Sequence, residues 1–312
     1  MSVLKIFPRF SLVLVFIFGI LAVFAFKFLP KSLLNFSTSP CLGEDPNFSI
    51  QLLRSDNQGL ESKRGDNYAI LLNPRSPRLD FKVNVGLSHP IYAKDGAGKF
   101  RRDYTPKTFR EIIADENAQL NGELPFAAIN ADYIDTENKP QGLNISRGVE
   151  YAGAFKNKRS SFGISGGEPS QRRATIQVGK RNEERLNYNL VGGNGRFYQD
   201  GTFKDICQAL GEFACQQATT RSMAAITDKN YVIFLVNNYQ PSIFSTNTDR
   251  ALYPDSFNRV LEGIAGKHCL GNIQEGLLFD GGISPGLYYD GKVLAENRGP
   301  IGSVFLIYNQ KN

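Results

Sequence analysis

Tryptophan is absent from the 312-residue chain, and histidine and methionine occur only twice each. The two histidines, His89 and His268, stand far apart, and no Cys-x-x-Cys spacing exists. The usual ligand set of a zinc site is therefore missing. An excess of one charge is missing too. The formal net charge is +6, but setting aside the four Lys/Arg of residues 1–31 leaves 32 basic against 30 acidic residues. A sequence pI near 9.0 is thus partly a membrane-insertion signal, and no nucleic-acid partner is expected. Basic clusters remain at Lys94–Arg110 and Arg172–Arg185. They read as solvated faces, with contact to an anionic lipid or glycan as the functional alternative.

One long uncharged run is present. Phe10–Phe26 reads FSLVLVFIFGILAVFAF, with Lys5 and Arg9 before it and Lys27 and Lys31 after it. A cleaved signal peptide normally leaves through small residues, whereas this run leaves through Lys27-Phe28-Leu29-Pro30. Its length is near the lower limit of ~17–25 residues for spanning a bilayer. Residues 1–31 are therefore read as a signal anchor in preference to a signal peptide, with secretion if the segment is cleaved. Either way the domain is placed outside the cytosol, in a periplasmic, extracellular or lumenal setting. Residues 32–65 are polar and turn-rich and read as a stalk, leaving 66–312 as one domain without repeat or internal linker.

Thirty glycines, fifteen prolines and 36 Phe and Tyr (23 and 13) favour many turns and strands over a helical bundle. Apolar runs at Tyr68–Leu72, Phe81–Val85, Pro125–Ile129, Tyr231–Val236, Gly276–Phe279, Gly286–Tyr289 and Ser303–Tyr308 read as strands, several buried on both faces. Asp200-Gly201 and Asp290-Gly291 are two-residue hairpin signals. Helical spacing occurs after Thr105-Pro106 (Phe109, Ile112, Ile113) and after Pro254 (Phe257, Val260, Leu261, Ile264), and more weakly over Lys204–Gln216. The expected fold class is α+β: a mixed, largely antiparallel sheet with a few amphipathic helices in a single domain.

Four cysteines, Cys41, Cys207, Cys215 and Cys269, suit disulfides in an exported chain. Three full pairings are open, and Cys207–Cys215 with Cys41–Cys269 is favoured. That pairing needs Gly211 to break any helix, because positions eight apart on a straight helix lie ~12 Å from each other, beyond disulfide reach.

Polar residues interrupt apolar context at four places. These are Asn130-Ala131-Asp132-Tyr133-Ile134-Asp135 after a strand, Val191–Gly201, Thr219–Ser222 before a strand, and Asp280-Gly281-Gly282-Ile283-Ser284 after the run Leu277–Phe279. Strand ends are where a rigid scaffold can hold polar groups at a cleft. Each stretch alone also fits a turn or a surface charge. Together they read as one polar pocket.

The series Asn130-Ala131-Asp132-Tyr133-x-Asp135 through Pro140-x-Gly142-Leu143, Arg159–Gly163, Gly192-Gly193 through Asp200-Gly201, Thr220-Arg221-Ser222, and Leu278-Phe279-Asp280-Gly281-Gly282-x-Ser284 resembles the phosphodiester glycosidase domain family over about residues 66–308. The resemblance implies hydrolysis of a sugar-1-phosphodiester in a glycan or glycolipid. In that reading Asp280 and Asp132 are the paired carboxylates of glycoside cleavage, with Asn130 beside them. Arg221 offers a planar fork for the phosphodiester. Gly281 and Gly282 would form a backbone anion nest, and Ser284 and Tyr133 would contact substrate. Carboxyl and amide oxygens also suit Mg²⁺ or Ca²⁺, so such an ion stays open, and no other cofactor is assigned. Ile283 and Pro285-Gly286 depart from the continuation seen in many relatives. That keeps open a non-catalytic glycan-binding or polysaccharide-assembly module on the same fold.

Overall fold

Among the described residues the continuous apolar runs form strands, and those at Arg221–Thr227 and Val232–Asn237 are buried at every position. The computed structural model describes residues 41–54, 67–86, 93–94, 100–101, 107–119, 124–136, 139–151, 159–178, 188–210, 215–239, 251–296 and 298–310, all within one unit, Cys41–Asn312. In chain order, β1 (Ile50–Arg54), β2 (Asn67–Leu72), β3 (Leu79–Asn84), β4 (Ala93–Lys94) and β5 (Phe100–Arg101) precede helix α1 (Phe109–Gln119). Next come β6 (Ala127–Asn130), β7 (Ile145–Ser146), β8 (Val149–Glu150), β9 (Ser160–Ile164), β10 (Ala174–Val178) and β11 (Asn189–Gly192). Then β12 (Arg196–Gln199) and β13 (Thr202–Phe203) lead into α2 (Cys207–Leu210). The chain continues with β14 (Arg221–Thr227), β15 (Val232–Asn237), α3 (Phe257–Lys267), β16 (Ile273–Leu278), β17 (Leu287–Tyr289), β18 (Lys292–Ala295) and β19 (Val304–Asn309).

A seven-stranded sheet runs β1-β2-β15-β14-β16-β12-β13, and two five-stranded sheets run β10-β9-β11-β7-β8 and β18-β17-β6-β19-β3. Among the described residues every ladder is antiparallel. The fold is therefore mostly β, which corrects the α+β expectation. Two of the helix signals are real, and within Lys204–Gln216 the described residues place helix α2 at Cys207–Leu210 and helical residues at 215–216, bridged by Cys207–Cys215, whose Cα atoms are 5.3 Å apart. A continued straight helix would hold these positions ~12 Å apart. Cys41–Cys269 is the second bridge, so the favoured pairing is the one observed.

The main core lies where the three sheets face one another. It holds Phe162 of β9, Phe234 of β15, Phe279 and Phe305 of β19, with Phe162 edge-on to Phe234 and Phe305 at 5.2 and 5.3 Å between ring centroids. The outer face of the seven-stranded sheet is covered by α3 through Phe257, Val260, Leu261 and Ile264, the face expected from their spacing. On the outer face of the sheet containing β6 and β19, α1 packs Phe109, Ile112 and Ile113 against Ala128, Val304 and Leu306. With α3 on one face and the inter-sheet core on the other, β14 and β15 are buried at every position.

Local signals resolve in detail. Asp200 and Gly201 have φ of 51° and 74°, and Asp290 and Gly291 have 46° and 80°, the paired positive values of a type I′ hairpin turn. The start of α1 is capped by Thr108. Its Oγ1 accepts from Glu111 N–H while Glu111 accepts from Thr108 N–H, a reciprocal capping box. The expected start at Thr105-Pro106 lies outside the described residues. Within the segment expected as a stalk, Ile50–Arg54 instead pairs with β2 as an edge strand, Leu53 being fully buried. The apolar run 10–26 lies outside the described residues, and among the described ones no helix is long and apolar enough to cross a membrane.

Candidate active site

Strand ends from all three sheets meet at one seam. β6 delivers Asn130 and Asp132, β11 delivers Gly192 to Asn194, β16 delivers Asp280, and β9 and β14 begin there with Arg159-Ser160 and Arg221. Backbone bonds close the seam: Asp280 N–H to Ala131 O at 2.8 Å, Phe279 N–H to Ser222 O at 2.9 Å, Gly193 N–H to Ser160 O at 2.9 Å, and Asn194 N–H to Leu278 O at 2.8 Å. Residues separated by up to 150 positions are thereby held in one cluster, with Asn130 Nδ2 donating to Asp280 O at 2.8 Å. Asn130 Oδ1 accepts from Gly286 N–H at 3.0 Å. The Asn130 amide thus pins both ends of the Asp280–Gly286 turn.

Asp132 is fully buried. Its Oδ1 accepts from Tyr133 N–H at 2.8 Å, and its Oδ2 accepts from Gly142 N–H and Asn144 Nδ2, both at 2.7 Å. Burial raises its pKa to about 6, against the lowering effect of those three donors. No side chain larger than hydrogen fits around it: a Cβ on Gly192 would lie 2.5 Å from Asp132 Cγ, and one on Gly142 would lie 2.7 Å from Gly192 Cα. The two glycines of the sequence motifs are therefore explained by close approach to this carboxylate.

Asp280 is only partly exposed and bonds with the Ser284 hydroxyl and Gly281 N–H. Its pKa is pushed up to about 7, first by burial and then by the Asp132 charge, while Ser284, Arg159 and Gly281 act the other way. Tyr133 donates its hydroxyl to Phe279 O at 3.1 Å and is also bonded by the Asn194 side chain. Burial, followed by the charge of Asp280, raises the Tyr133 phenol to about 12. Arg221 is buried, donates from Nη2 to Gln217 O at 3.2 Å, and interacts with Tyr133 and Tyr253. Burial lowers its pKa, but a guanidinium stays charged.

The structure thus gathers Asp280, Asp132, Asn130, Tyr133, Ser284 and Arg221 at one seam. It corrects one expectation. Gly282 N–H is engaged by Thr220 O at 3.2 Å, and Gly281 N–H faces the Asp280 carboxylate, so the pair does not form an open anion nest. The glycines instead let the turn fold back on Thr220, with Gly282 at φ 68°.

Arg159, Asn144 and Asn194 carry no site role in the sequence reading, although Arg159 opens one of its motifs. Arg159 lies over the Tyr133 ring, 4.7 Å from its centroid, and acts on both Asp132 and Asp280. Its Nη1 is buried without a hydrogen-bond partner among the described residues. The signal available was the motif Arg159–Gly163, where the arginine precedes a strand as Arg221 does.

Next to the seam opens a cleft of about 290 Å³, lined by Thr219, Thr220, Gly282, Ile283 and Pro285 among others. Three of the roughly four lone-pair positions of the Asp132 carboxylate are taken by protein donors. Among the described residues the one grouping with metal-ligand spacing is Cys41, Glu44 and Cys269, and its sulfurs are joined in a disulfide.

The family model for phosphodiester glycosidases matches residues 125–308, the span that contains every residue of the seam. The chain belongs to the phosphodiester glycosidase family. Its fold is similar to that of the catalytic domain of zebrafish N-acetylglucosamine-1-phosphodiester alpha-N-acetylglucosaminidase, auto-inhibited by its pro-peptide. That match has a TM-score of 0.56 and 12% identity, and covers 86% of this chain and 85% of the zebrafish domain. A hypothetical protein from Synechocystis matches with a TM-score of 0.50 and 14% identity over 78% of this chain and 59% of that one. The chain therefore spans a little over half of the Synechocystis protein. No curated protein sequence matches. The two disulfides favour an extracytoplasmic environment.

Proposed function

We propose that the protein is a hydrolase that cleaves a sugar-1-phosphodiester in a glycan or glycolipid. We further propose that it is exported and held at a membrane by residues 10–26. The observation that carries this reading is the seam itself: a carboxylate whose pKa is raised to about 7 shares a cluster with two arginines, in a chain of phosphodiester glycosidase family. The zebrafish relative is named for the same class of bond.

Arg159 and Arg221 bind the phosphodiester and meet the charge that develops on it, Arg159 Nη1 being the donor left for an incoming anion. A phosphomonoester leaves with its charge neutralised by arginine, so its departing oxygen needs little help from an acid. The attacking water does need help. Asp280 serves as the general base, poised near neutral pH where a base is most effective. Asp132, held by three donors and ionised above its pKa of about 6, adds a negative charge to the burial that already raises the Asp280 pKa. Asn130, Ser284 and Tyr133 orient the Asp280 turn. The water proton passes to Asp280, the glycosidic C–O bond breaks, and the phosphomonoester leaves with the bonding electron pair.

Hydrolysis of a sugar-1-phosphodiester in ¹⁸O-water tests this directly. The label is expected on the released sugar. Label on the phosphate contradicts C–O cleavage. Ligand binding with no turnover of any sugar-1-phosphodiester would overturn the hydrolase reading and favour the binding module.

A further inference from the structure

A second polar cleft lies away from the seam. It has a volume of about 560 Å³ and is lined by Arg75, Ser170, Gln171, Arg172, Arg173 and Asn230. Such a volume is in the range of small-molecule sites, ~300–1,000 Å³. Three guanidinium groups come from two segments distant in sequence, and among the described residues no carboxylate lines the space.

The cleft is braced by the protein's own bonds. Asn230, in the β14–β15 turn with φ 66°, donates from Nδ2 to Arg172 O at 3.0 Å and accepts from Ala174 N–H at 2.9 Å. Arg75 Nη2 donates to Lys229 O at 2.7 Å. Arg172 donates from Nη1 to Leu79 O at 2.6 Å and lies over the Phe81 ring at 5.5 Å. The nearest acidic influences on Arg172 are Asp80 and Glu168, and Asp80 is already paired with Arg147. Arg75 and Arg173 remain exposed, so their heads are available to an anion. The Arg75 and Arg172 guanidinium groups are held by backbone carbonyls, and guanidinium forks are well suited to phosphate oxygens.

We propose that this cleft binds a phosphate ester carried on a glycan chain, as a second site for the polymer whose phosphodiester is cleaved at the seam. This rests on the hydrolase reading for its link to substrate. The cleft and the seam lie at opposite ends of β14, whose seven residues span about 20 Å at ~3.3 Å per residue. A chain several sugars long is therefore needed to reach both.

The test is calorimetric titration of the full chain with a phosphomonoester-bearing oligosaccharide that contains no sugar-1-phosphodiester. The dephosphorylated oligosaccharide and phosphatidylglycerol vesicles serve as comparison arms. Wild type is expected to bind the phosphorylated form at least tenfold more tightly than the neutral one. The pair Arg75→Gln/Arg173→Gln is expected to lose that preference while retaining the wild-type melting temperature, and Arg75→Glu/Arg173→Glu to abolish binding. Arg221→Gln at the seam should retain it. Unchanged binding by the double Gln variant, equal binding of the neutral oligosaccharide, or capture by vesicles alone overturns the proposal. Absence of sugar-1-phosphodiester turnover by wild type, with this binding intact, would count against the hydrolase reading only.

Discussion

Asp280 and Arg159 carry the chemistry at the scale of single residues, and both make sharp predictions. The Asp280 pKa is raised to about 7 by burial first and by the Asp132 charge second. A base works in its ionised form, which accumulates as pH rises through that value. The expected profile of kcat/KM therefore climbs with pH and levels above about 7, as a pH–rate series on a soluble sugar-1-phosphodiester would report. A rate that falls over the same interval assigns Asp280 to the acid role. For the arginines, Arg159→Gln and Arg221→Lys should each weaken transition-state binding by about 1.5–3 kcal/mol, the usual worth of hydrogen bonds to charged groups. Lysine does not substitute for the planar fork. Steady-state kinetics on each variant measure this as a fall in kcat/KM, and an unchanged value removes that arginine from the site.

At the scale of elements, α1 is fastened to the sheet by more than its apolar face. Glu116 is fully buried and accepts from Lys82 Nζ at 2.6 Å and from Tyr308 OH at 2.9 Å, with Asn84 Nδ2 as a third donor. Glu116→Ala strands these donors against the helix and should cost roughly 3 kcal/mol. Denaturant melts would show this as a lower midpoint with little change in slope. Both 11-residue helices and the two Asp-Gly hairpins were legible in the sequence because their signals are local. The continuous runs of β14 and β15 marked buried strands for the same reason. Sheet membership was not legible, since β15 pairs with β2 across some 160 positions (Val232 with Leu72). β1 was hidden because Gln51 and Arg54 break its apolar pattern at the sheet edge. In the site, Asp132, Asp280 and Arg221 stood out as polar interruptions of apolar strands. Arg159 did not, and the Gly281–Gly282 nest failed because the partner of Gly282 N–H is Thr220, 62 residues away.

Within Cys41–Asn312 the three larger sheets meet at one seam, and two disulfides cross-link the chain. Cys41–Cys269 joins residues 228 apart, and Cys207–Cys215 joins residues 8 apart. By chain entropy the long closure is worth on the order of 5 kcal/mol and the short one about 2.5. Cys41→Ser should therefore lower the melting temperature more than Cys207→Ser, and reduction should lower it at least as far as Cys41→Ser does. Equal shifts would show that the long closure does not constrain the unfolded chain. The same clamping gives the site its proposed function, because Arg159 and Asp132, which act on Asp280, come from the other two sheets. Turnover of a sugar-1-phosphodiester by Asp280→Asn, compared with wild type and accompanied by ligand binding to both, tests this most directly. The predicted result is a loss in kcat of roughly 10²–10⁴-fold, the usual worth of a positioned base, with binding preserved. Full turnover by the Asp280→Asn variant would contradict it.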